Sequence, residues 1–426
     1  MNWKHAVRIV SVASGVLAVA WFPGSPAFAQ SQPDRVSELE KKLERSLRLI
    51  DELASKITQL EANAPRKEDM ARQEVRIESV AQQVSAVAAA GSRRGSDDGI
   101  ALHGFADVGA AATNGGPNKK GFGVGSMSFY LTPQFGDNVK TLLELIFEYD
   151  TEGGLATDLE RVQLGYTFSD ALTLWAGRFH TPYGYWNTAF HHGLQIQTSL
   201  RRPKFVDFED KGGILPSHSV GLWATGGMRA GEGKWSWDLY AGNSPSISEN
   251  VINMNNSGSR NHNLGSGANL GYSFGGALEG LKLGAHLLTA RVVDDADPVN
   301  TTKLGMTGAY AVYDTDKWEH IAEVYRFNNR DAAGGGARKS TAGFAQFGYR
   351  TPPWTSYVRF EKTSLDQGDG YFARQESGQS YNRQALGLRL DLNLKSAVKF
   401  EIARTKNTDR DLGQYSEFLA QYAIRF

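Results

Sequence analysis

The sequence predicts a transmembrane β-barrel of about 16 antiparallel strands, preceded by an α-helical coiled coil. Three observations predict this fold. Segments after Gly99 alternate apolar and polar residues, the links between them are short and long in turn, and apolar residues between Val36 and Leu60 follow a heptad spacing. A barrel in lipid accounts for the alternation, because one row of side chains meets hydrocarbon and the other lines a water-filled lumen.

The last stretch of the sequence, Phe418 to Phe426, shows the alternation most clearly. One row is apolar and consists of Phe418, Ala420, Tyr422, Ile424 and Phe426. The other row consists of Glu417, Leu419, Gln421, Ala423 and Arg425. Period-two alternation predicts a strand with one apolar and one wet face. We expect this strand to close the barrel; taken alone, it would also suit the edge strand of a soluble sandwich.

The composition excludes several classes of protein. Among 426 residues, 46 are Lys or Arg and 46 are Asp or Glu, so no bulk charge points to nucleic acid. The absence of cysteine excludes disulfides and thiolate metal sites. A mean hydropathy of -0.40 argues against a helical membrane bundle, while 47 glycines and 11% aromatic residues suit a barrel with tight turns and aromatic girdles.

Residues 1–29 are predicted to be a secretory signal peptide. Lys4 and Arg8 precede an apolar stretch, Ile9 to Phe22, that is too short to span a bilayer. Ala27-Phe28-Ala29 supplies a small-x-small cleavage pattern, which favours cleavage over a retained anchor.

Residues 30–90 are predicted to form a periplasmic coiled coil, and the Gly-, Ser- and charge-rich residues 91–99 a linker. The a/d seam is Val36, Leu39, Leu43, Ser46, Ile50, Leu53, Ile57 and Leu60. Leu47 and Leu49 widen the apolar stripe and favour three helices, whereas Ile at a with Leu at d favours two. The helix number therefore stays open. A lone amphipathic helix would not need strict heptads.

Residues 100–426 are predicted to form the barrel, with a first strand over Ile100 to Ala111. The inward row is expected to include Glu144, Glu148, Arg161, Arg389 and Lys399. Short turns are expected near residues 136–138, 169–170, 314–316, 351–353 and 393–396. Long links are expected at 243–262, 328–340 and 363–380. An even number of strands keeps both ends of the barrel on the periplasmic side, with the short turns.

The longest link is the loop 180–217. It contains the aromatic run Thr181 to Asn187, a basic cluster and an acidic cluster. The basic residues are Arg201, Arg202 and Lys204, and the acidic residues are Asp207, Glu209 and Asp210. A loop this long and aromatic is expected to fold into the lumen and narrow it.

Two segments of this region, Gly177 to Gly184 and Arg202 to Gly213, resemble trimeric, substrate-specific porins of Gram-negative bacteria. That group includes the phosphate-selective porins O and P and the dicarboxylate channels of the DcaP type, which also carry a periplasmic coiled coil. The resemblance implies a 16-stranded homotrimer with an infolded third loop. The final Phe426 likewise resembles the signal read by the barrel-assembly machinery. Phosphate-selective members carry basic ladders along the pore, whereas this sequence interleaves acids with bases.

The charges of the long loop have two interpretations. Arg201, Arg202 and Lys204, with Arg178 beside them, would attract anions at a constriction. They would also serve to hold the loop by pairing with its three acidic residues. Both interpretations stay open. Glu144 and Glu148 would either repel anions or form the opposite wall of a transverse field.

The function expected from the sequence is passive diffusion of small hydrophilic, anionic solutes, phosphate or small carboxylates, across the Gram-negative outer membrane. Neither a cofactor nor a catalytic motif is indicated, so an enzyme is not expected. His180, His191, His192 and His218 lack metal-ligand spacing, and hydrogen-bonded loop histidines are expected instead. The alternative function is structural: the coiled coil would tether the outer membrane to peptidoglycan.

Overall fold

The computed structural model describes residues 102–115, 120–149, 155–190, 194–254, 258, 262–409 and 413–426. The predicted signal peptide, coiled coil and linker lie outside these residues. Within this part of the chain, no helix is long and apolar enough to cross a membrane.

Sixteen long strands form one closed antiparallel barrel. They are β1 (Leu102–Asn114), β2 (Lys120–Leu131), β4 (Val139–Tyr149), β5 (Leu155–Ser169), β6 (Leu172–His180), β7 (His218–Ala230), β8 (Gly233–Asn243), β11 (Leu264–Ser273), β12 (Leu281–Asp294), β13 (Thr301–Asp314), β14 (Trp318–Asp331), β15 (Arg338–Thr351), β16 (Trp354–Ser364), β17 (Tyr381–Asn393), β18 (Ser396–Asn407) and β19 (Gln414–Arg425). The prediction of a barrel of about 16 strands is confirmed.

Shorter elements lie in the connections. The short strands are β3 (Gln134–Phe135), β9 (Ser246–Ser248) and β10 (Val251–Asn253). The helices are α1 (Trp186–Ala189) and α2 (Gly370–Ala373), with 3-10 turns η1 (Lys204–Val206), η2 (Glu209–Lys211) and η3 (Gly276–Leu278). The β9–β10 hairpin folds back onto the wall, where β9 pairs with the end of β12 in parallel.

The barrel is apolar outside and charged inside, as the alternation predicts. On β18, Phe400 and Ile402 point outward and are exposed, while Lys399 and Glu401 between them are buried. The last strand, β19, follows the same rule, with Phe418 and Tyr422 exposed. A soluble sandwich would place these rows the other way round, because its apolar face is its core.

The rims differ as expected, and two boundaries need correction. Short turns join β5 to β6, β13 to β14, β15 to β16 and β17 to β18. Within the described residues the first strand runs from Leu102 to Asn114, three residues beyond its expected end at Ala111. The link predicted at 328–340 spans only 332–337, because β14 and β15 stay paired through Asn328 and Asn329. Polar side chains do not interrupt this ladder, since its hydrogen bonds join backbone groups.

The β1–β19 ladder that closes the barrel ends at the contact between Phe426 and Gly104. The two residues exchange backbone N–H···O bonds of 3.0 Å in both directions. A Cβ atom at Gly104 would lie 2.3 Å from the Phe426 ring and 2.8 Å from the Ser128 carbonyl oxygen. The ring also packs edge-on against Phe129, with centroids 5.8 Å apart. Glycine is therefore required where the first and last strands meet, and the role of Phe426 as an assembly signal stays a prediction.

We predict that Gly104→Val destabilises the closed barrel by about 1–3 kcal/mol, because the added atoms overlap a ring and a backbone carbonyl. The measurement is the temperature at which the folded, fast-migrating band is lost in gel electrophoresis. Gly123→Val is the control, since no atom lies within 4 Å of a Cβ placed there. Equal loss in both variants would contradict the closure argument.

Candidate functional site

The segment Thr181 to Ser217 leaves the barrel after β6 and makes hydrogen bonds with side chains of strands β14 to β18. The Glu323 carboxylate of β14 accepts from the backbone N–H groups of Tyr185 (3.1 Å) and Trp186 (2.6 Å). The Glu361 carboxylate of β16 accepts from the Lys204 N–H at 2.7 Å. Inward carboxylates thus satisfy backbone donors that an irregular segment cannot pair by itself. We name this segment the inner loop.

The inner loop also packs its aromatic side chains against the inside of the barrel. Trp186 and Phe205 are fully or almost fully buried. Trp186 meets the Phe344 ring of β15 edge-on at 5.5 Å, and Phe205 meets the Tyr325 ring of β14 at 5.2 Å. These contacts give the barrel an internal hydrophobic cluster, and such burial is the main stabilising term for an ordered segment.

Basic residues of the wall hold the backbone of the inner loop. Arg389 Nη1 donates to the carbonyl oxygens of Gln195 (2.6 Å) and Gln197 (2.8 Å). Lys399 Nζ donates to the carbonyl oxygens of Leu194 and of Ser199, the latter at 3.2 Å. Arg389 and Lys399, which the sequence places on the inward row, are therefore buried beneath the inner loop.

A lattice of ion pairs covers the wall between β16 and β19. It consists of Arg201, Arg359, Arg383, Glu361, Glu401 and Glu417. Arg359 lies 2.9 Å from Glu361, and Arg383 lies 3.3 Å from Glu401 and also pairs with Glu417. Arg201 of the inner loop reaches Glu417 at 3.1 Å. Three arginines face three glutamates, so the lattice is neutral.

Sequence reasoning missed most of this lattice. A signal for part of it was present in β16, where Tyr357, Arg359 and Glu361 occupy alternate positions. That spacing predicts that all three side chains share one face, and the structure buries all three. Their pairing with β17 to β19 depends on the barrel register, which the alternation alone does not supply.

Arg202 is a structural residue of the inner loop. Its guanidinium donates to the carbonyl oxygens of Val206 and Phe190 (both 3.0 Å) and to Asn187 Oδ1 (2.7 Å). It also lies 4.2 Å from the Phe208 ring centroid, within cation–π range. Burial lowers the pKa of Arg202, and the nearby Asp207 carboxylate partly offsets that effect. All these contacts are within the loop, so Arg202 fixes its shape.

The other predicted basic residues have different surroundings. Arg201 is the most accessible, with 43% of its side chain exposed. Lys204 Nζ lies 5.2 Å from the Tyr381 ring centroid. Arg178, on β6, pairs with Glu160 at 3.0 Å and with Asp158 at 3.7 Å. The structure therefore places Arg178 at the β5–β6 wall and divides the basic cluster of the loop into one exposed and one enclosed arginine.

In the acidic cluster, Glu209 pairs with His218, the first residue of β7. Glu209 accepts from the backbone N–H of His218 at 3.0 Å and contacts His218 Nδ1 at 3.2 Å. Burial raises the pKa of Glu209, but the charge and hydrogen bond of His218 outweigh it and hold that pKa below its usual value. Asp207 Oδ1 accepts from the Phe208 N–H at 3.0 Å. The side chain of Asp210 lies outside the described part of the structure.

The two glutamates predicted on β4 also have partners. Glu144 is fully buried and lies 2.7 Å from Arg161, its direct cross-strand neighbour on β5. Glu148 accepts from Lys211 Nζ of the inner loop at 2.7 Å. Each negative charge is thus balanced locally. Their expected roles, in repelling anions or in forming one wall of a transverse field, stay predictions.

The histidines expected in this region fall into two groups. His180 and His218 lie on neighbouring strands with ring centroids 4.6 Å apart, while His191 and His192 lie outside the described residues. Among the residues that the structure describes, no group of three or more His, Asp or Glu side chains is arranged to hold a metal ion.

Solved structures share this fold at low sequence identity. An anion-selective porin from Comamonas acidovorans matches at 12% identity with a TM-score of 0.53, over 77% of this chain and 99% of that one. OmpF of Salmonella typhi, in complex with daunomycin, matches at 12% identity with a TM-score of 0.52 (77% and 97%). The outer membrane channel DcaP of Acinetobacter baumannii matches at 12% identity with a TM-score of 0.50 (77% and 97%). No family model matches the sequence, and no curated protein does.

These matches show that the described chain has the 16-stranded barrel fold of outer-membrane porins. The narrower resemblance to phosphate-selective porins stays a prediction.

We predict that Arg202→Met loosens the inner loop while leaving the barrel closed. The change removes three donated hydrogen bonds and leaves buried acceptors unpaired, at a cost of about 3 kcal/mol. Chymotrypsin should then cut within residues 181–217 in folded, detergent-solubilised protein. Arg330→Met is the matched control, since Arg330 is exposed at the end of β14. Resistance of the Arg202 variant to cleavage would show that the loop does not depend on this side chain.

Proposed function

We propose that this protein is an outer-membrane porin, a passive diffusion channel for small hydrophilic, anionic solutes such as phosphate or small carboxylates. The observation that carries the proposal is the closed barrel whose inner face holds charged side chains and an ordered loop. Such an interior suits transport of hydrated solutes, because a barrel of about this strand number is wide enough to leave an aqueous channel. No covalent chemistry or cofactor is part of the proposal.

The proposed anion preference rests on the location of charge. The ion-pair lattice is neutral. Arg389, Lys399 and Arg202 already donate hydrogen bonds to backbone carbonyl oxygens. Arg201 differs, because it combines a pairing with Glu417 and substantial exposure. A partly exposed guanidinium beside a narrowed passage stabilises a passing anion more than a screened charge on an open rim. The anion-selective porin among the structural matches is consistent with this preference.

The proposal includes the assembly expected from the sequence. Residues 1–29 would direct export, the barrel-assembly machinery would insert the barrel with Phe426 as its signal, and three copies would associate. Residues 30–90 would form a coiled coil in the periplasm. The tethering alternative depends wholly on those residues, which lie outside the described structure, and no contact within the barrel favours it.

We predict that Arg201→Gln lowers the anion-to-cation permeability ratio in planar bilayers by roughly a factor of two to five. The variant leaves Glu417 and its two neighbouring glutamates facing only two arginines, so the lattice gains a net negative charge. One partly screened pair is worth about 0.4–1 kcal/mol, which corresponds to that factor. The measurement is the reversal potential in a salt gradient.

Arg330→Gln is the matched control, because it removes the same charge from an exposed position outside the lumen. An unchanged reversal potential for Arg201→Gln, with single-channel steps still present, would show that Arg201 does not set the ion selectivity. Absence of any channel activity in the unaltered protein would overturn the proposed function.

Deletion of residues 31–90 tests the assembly. We expect a folded, heat-modifiable and trimeric barrel to remain, because barrel-to-barrel contact should support association without the helical segment. The measurement is the mass of the detergent-solubilised particle. Recovery of monomers only would show that the coiled coil causes oligomerisation.

A further inference from the structure

One part of the outer wall is basic instead of apolar. On β12 to β18, the outward positions nearest the long connections carry eight exposed cations. They are Arg291, Lys303, Arg326, Arg330, Lys339, Lys362, Arg404 and Lys406. The remaining outward positions in this part of the described wall are Gly, Ser, Thr, Asn, Gln or Val, with no Asp or Glu. We name these eight residues the basic belt.

The sheet register brings members of the basic belt together. Lys303 lies opposite Arg291 on one neighbouring strand and opposite Arg330 on the other. Like charges placed directly opposite each other on a sheet repel. Arg326 and Lys362 make no hydrogen bond or ion pair with any residue that the structure describes. The exposed cations Arg326 and Lys362 therefore favour an anionic partner from outside the chain.

A groove links two members of the belt. It has a volume of about 850 Å³ and runs over the outer wall from β13 to β17. Arg326 and Lys362 border it on the side of the long connections. They lie opposite Thr341 and Gly343 of β15 on its two sides, which puts their Cα atoms roughly 12 Å apart. Ala309, Val324 and Phe360 line its other end. The groove is therefore amphipathic, with cations at one end and apolar side chains at the other.

The opposite rim has different chemistry. There the outward residues of β14 to β16 are aromatic, with Trp318 and Tyr349 in contact at a centroid distance of 4.7 Å and Trp354 nearby. Trp and Tyr are the residues that suit an ordinary phospholipid interface. The two rims of this wall therefore differ, with aromatic side chains at one and cations at the other.

We propose that the basic belt binds a phosphorylated glycolipid of the outer leaflet, with its phosphate groups on Arg326 and Lys362 and an acyl chain in the groove. This inference rests on the proposed membrane location, in which the long connections face outward from the cell. A multiply phosphorylated headgroup fits a belt of spaced cations better than a phospholipid with one phosphate. Each Lys or Arg near an anionic surface adds roughly fivefold to affinity, so several together give stable binding.

The test measures lipid retained by the purified full chain in detergent, by native mass spectrometry. The probes are diphosphoryl lipid A, monophosphoryl lipid A, phosphatidylglycerol and phosphatidylethanolamine. The variant is Arg326→Gln with Lys362→Gln. The control is Arg229→Gln with Lys317→Gln, which removes two exposed charges near the short turns. We expect diphosphoryl lipid A to bind the unaltered chain and the control, and to bind the variant at least about tenfold more weakly.

Three results would overturn the inference. The first is equal binding of diphosphoryl lipid A by the variant and the unaltered chain, and the second is binding of phosphatidylglycerol by the unaltered chain as tight as that of lipid A. The third is dissociation of the oligomer in the variant. The last result would identify the belt as an interface between copies. Single-channel recordings of the same variants separate this inference from the proposed function. If the variant loses lipid binding but keeps normal conductance, the result supports lipid binding by the basic belt. If the unaltered chain shows no conductance, the result overturns the proposed porin function.

Discussion

An ordered segment inside a barrel depends on one constraint: its irregular backbone must find hydrogen-bond partners where water is scarce. The inner loop satisfies this constraint with charged side chains of the wall. Glu323 and Glu361 accept from its N–H groups, and Arg389 and Lys399 donate to its carbonyl oxygens. The charged side chains of the wall are stabilised in turn, because an ionised group in a water-poor interior also requires hydrogen-bond partners. Loop and wall therefore stabilise each other.

These loop–wall contacts limit which charges could act on a solute in the proposed channel. A cation that already donates to two carbonyl oxygens, as Arg389 does, is fixed in place and partly screened by those dipoles. Arg359, Arg383 and Arg201 together carry three positive charges, which the three glutamates of the lattice balance. The remaining field comes from groups that are paired but still accessible. In the proposed channel, selectivity would therefore depend on a few exposed side chains against a neutral background.

The alternation of the sequence predicted the barrel because it is a local property of each strand. Phe418 and Tyr422 point outward for the same reason that Glu417 and Gln421 point inward. The site was less accessible to prediction, because its contacts join residues far apart in the chain: Arg389 holds Gln195, and Arg201 holds Glu417. Arg201 and Arg202 show this most clearly. They are adjacent in a segment without periodicity, yet one is exposed and the other is enclosed.

The wall also separates opposite charges over very short stretches of sequence. Glu361 faces the inner loop while Lys362, the next residue, faces outward, and Glu323 and Arg326 are divided in the same way on β14. The equal totals of acidic and basic residues therefore conceal two distinct surfaces. On this wall Glu323 and Glu361 accept from backbone donors inside, while Arg326 and Lys362 lie outside without an ion pair to any residue that the structure describes. A net charge near zero is thus compatible with an outer surface that requires an anionic partner.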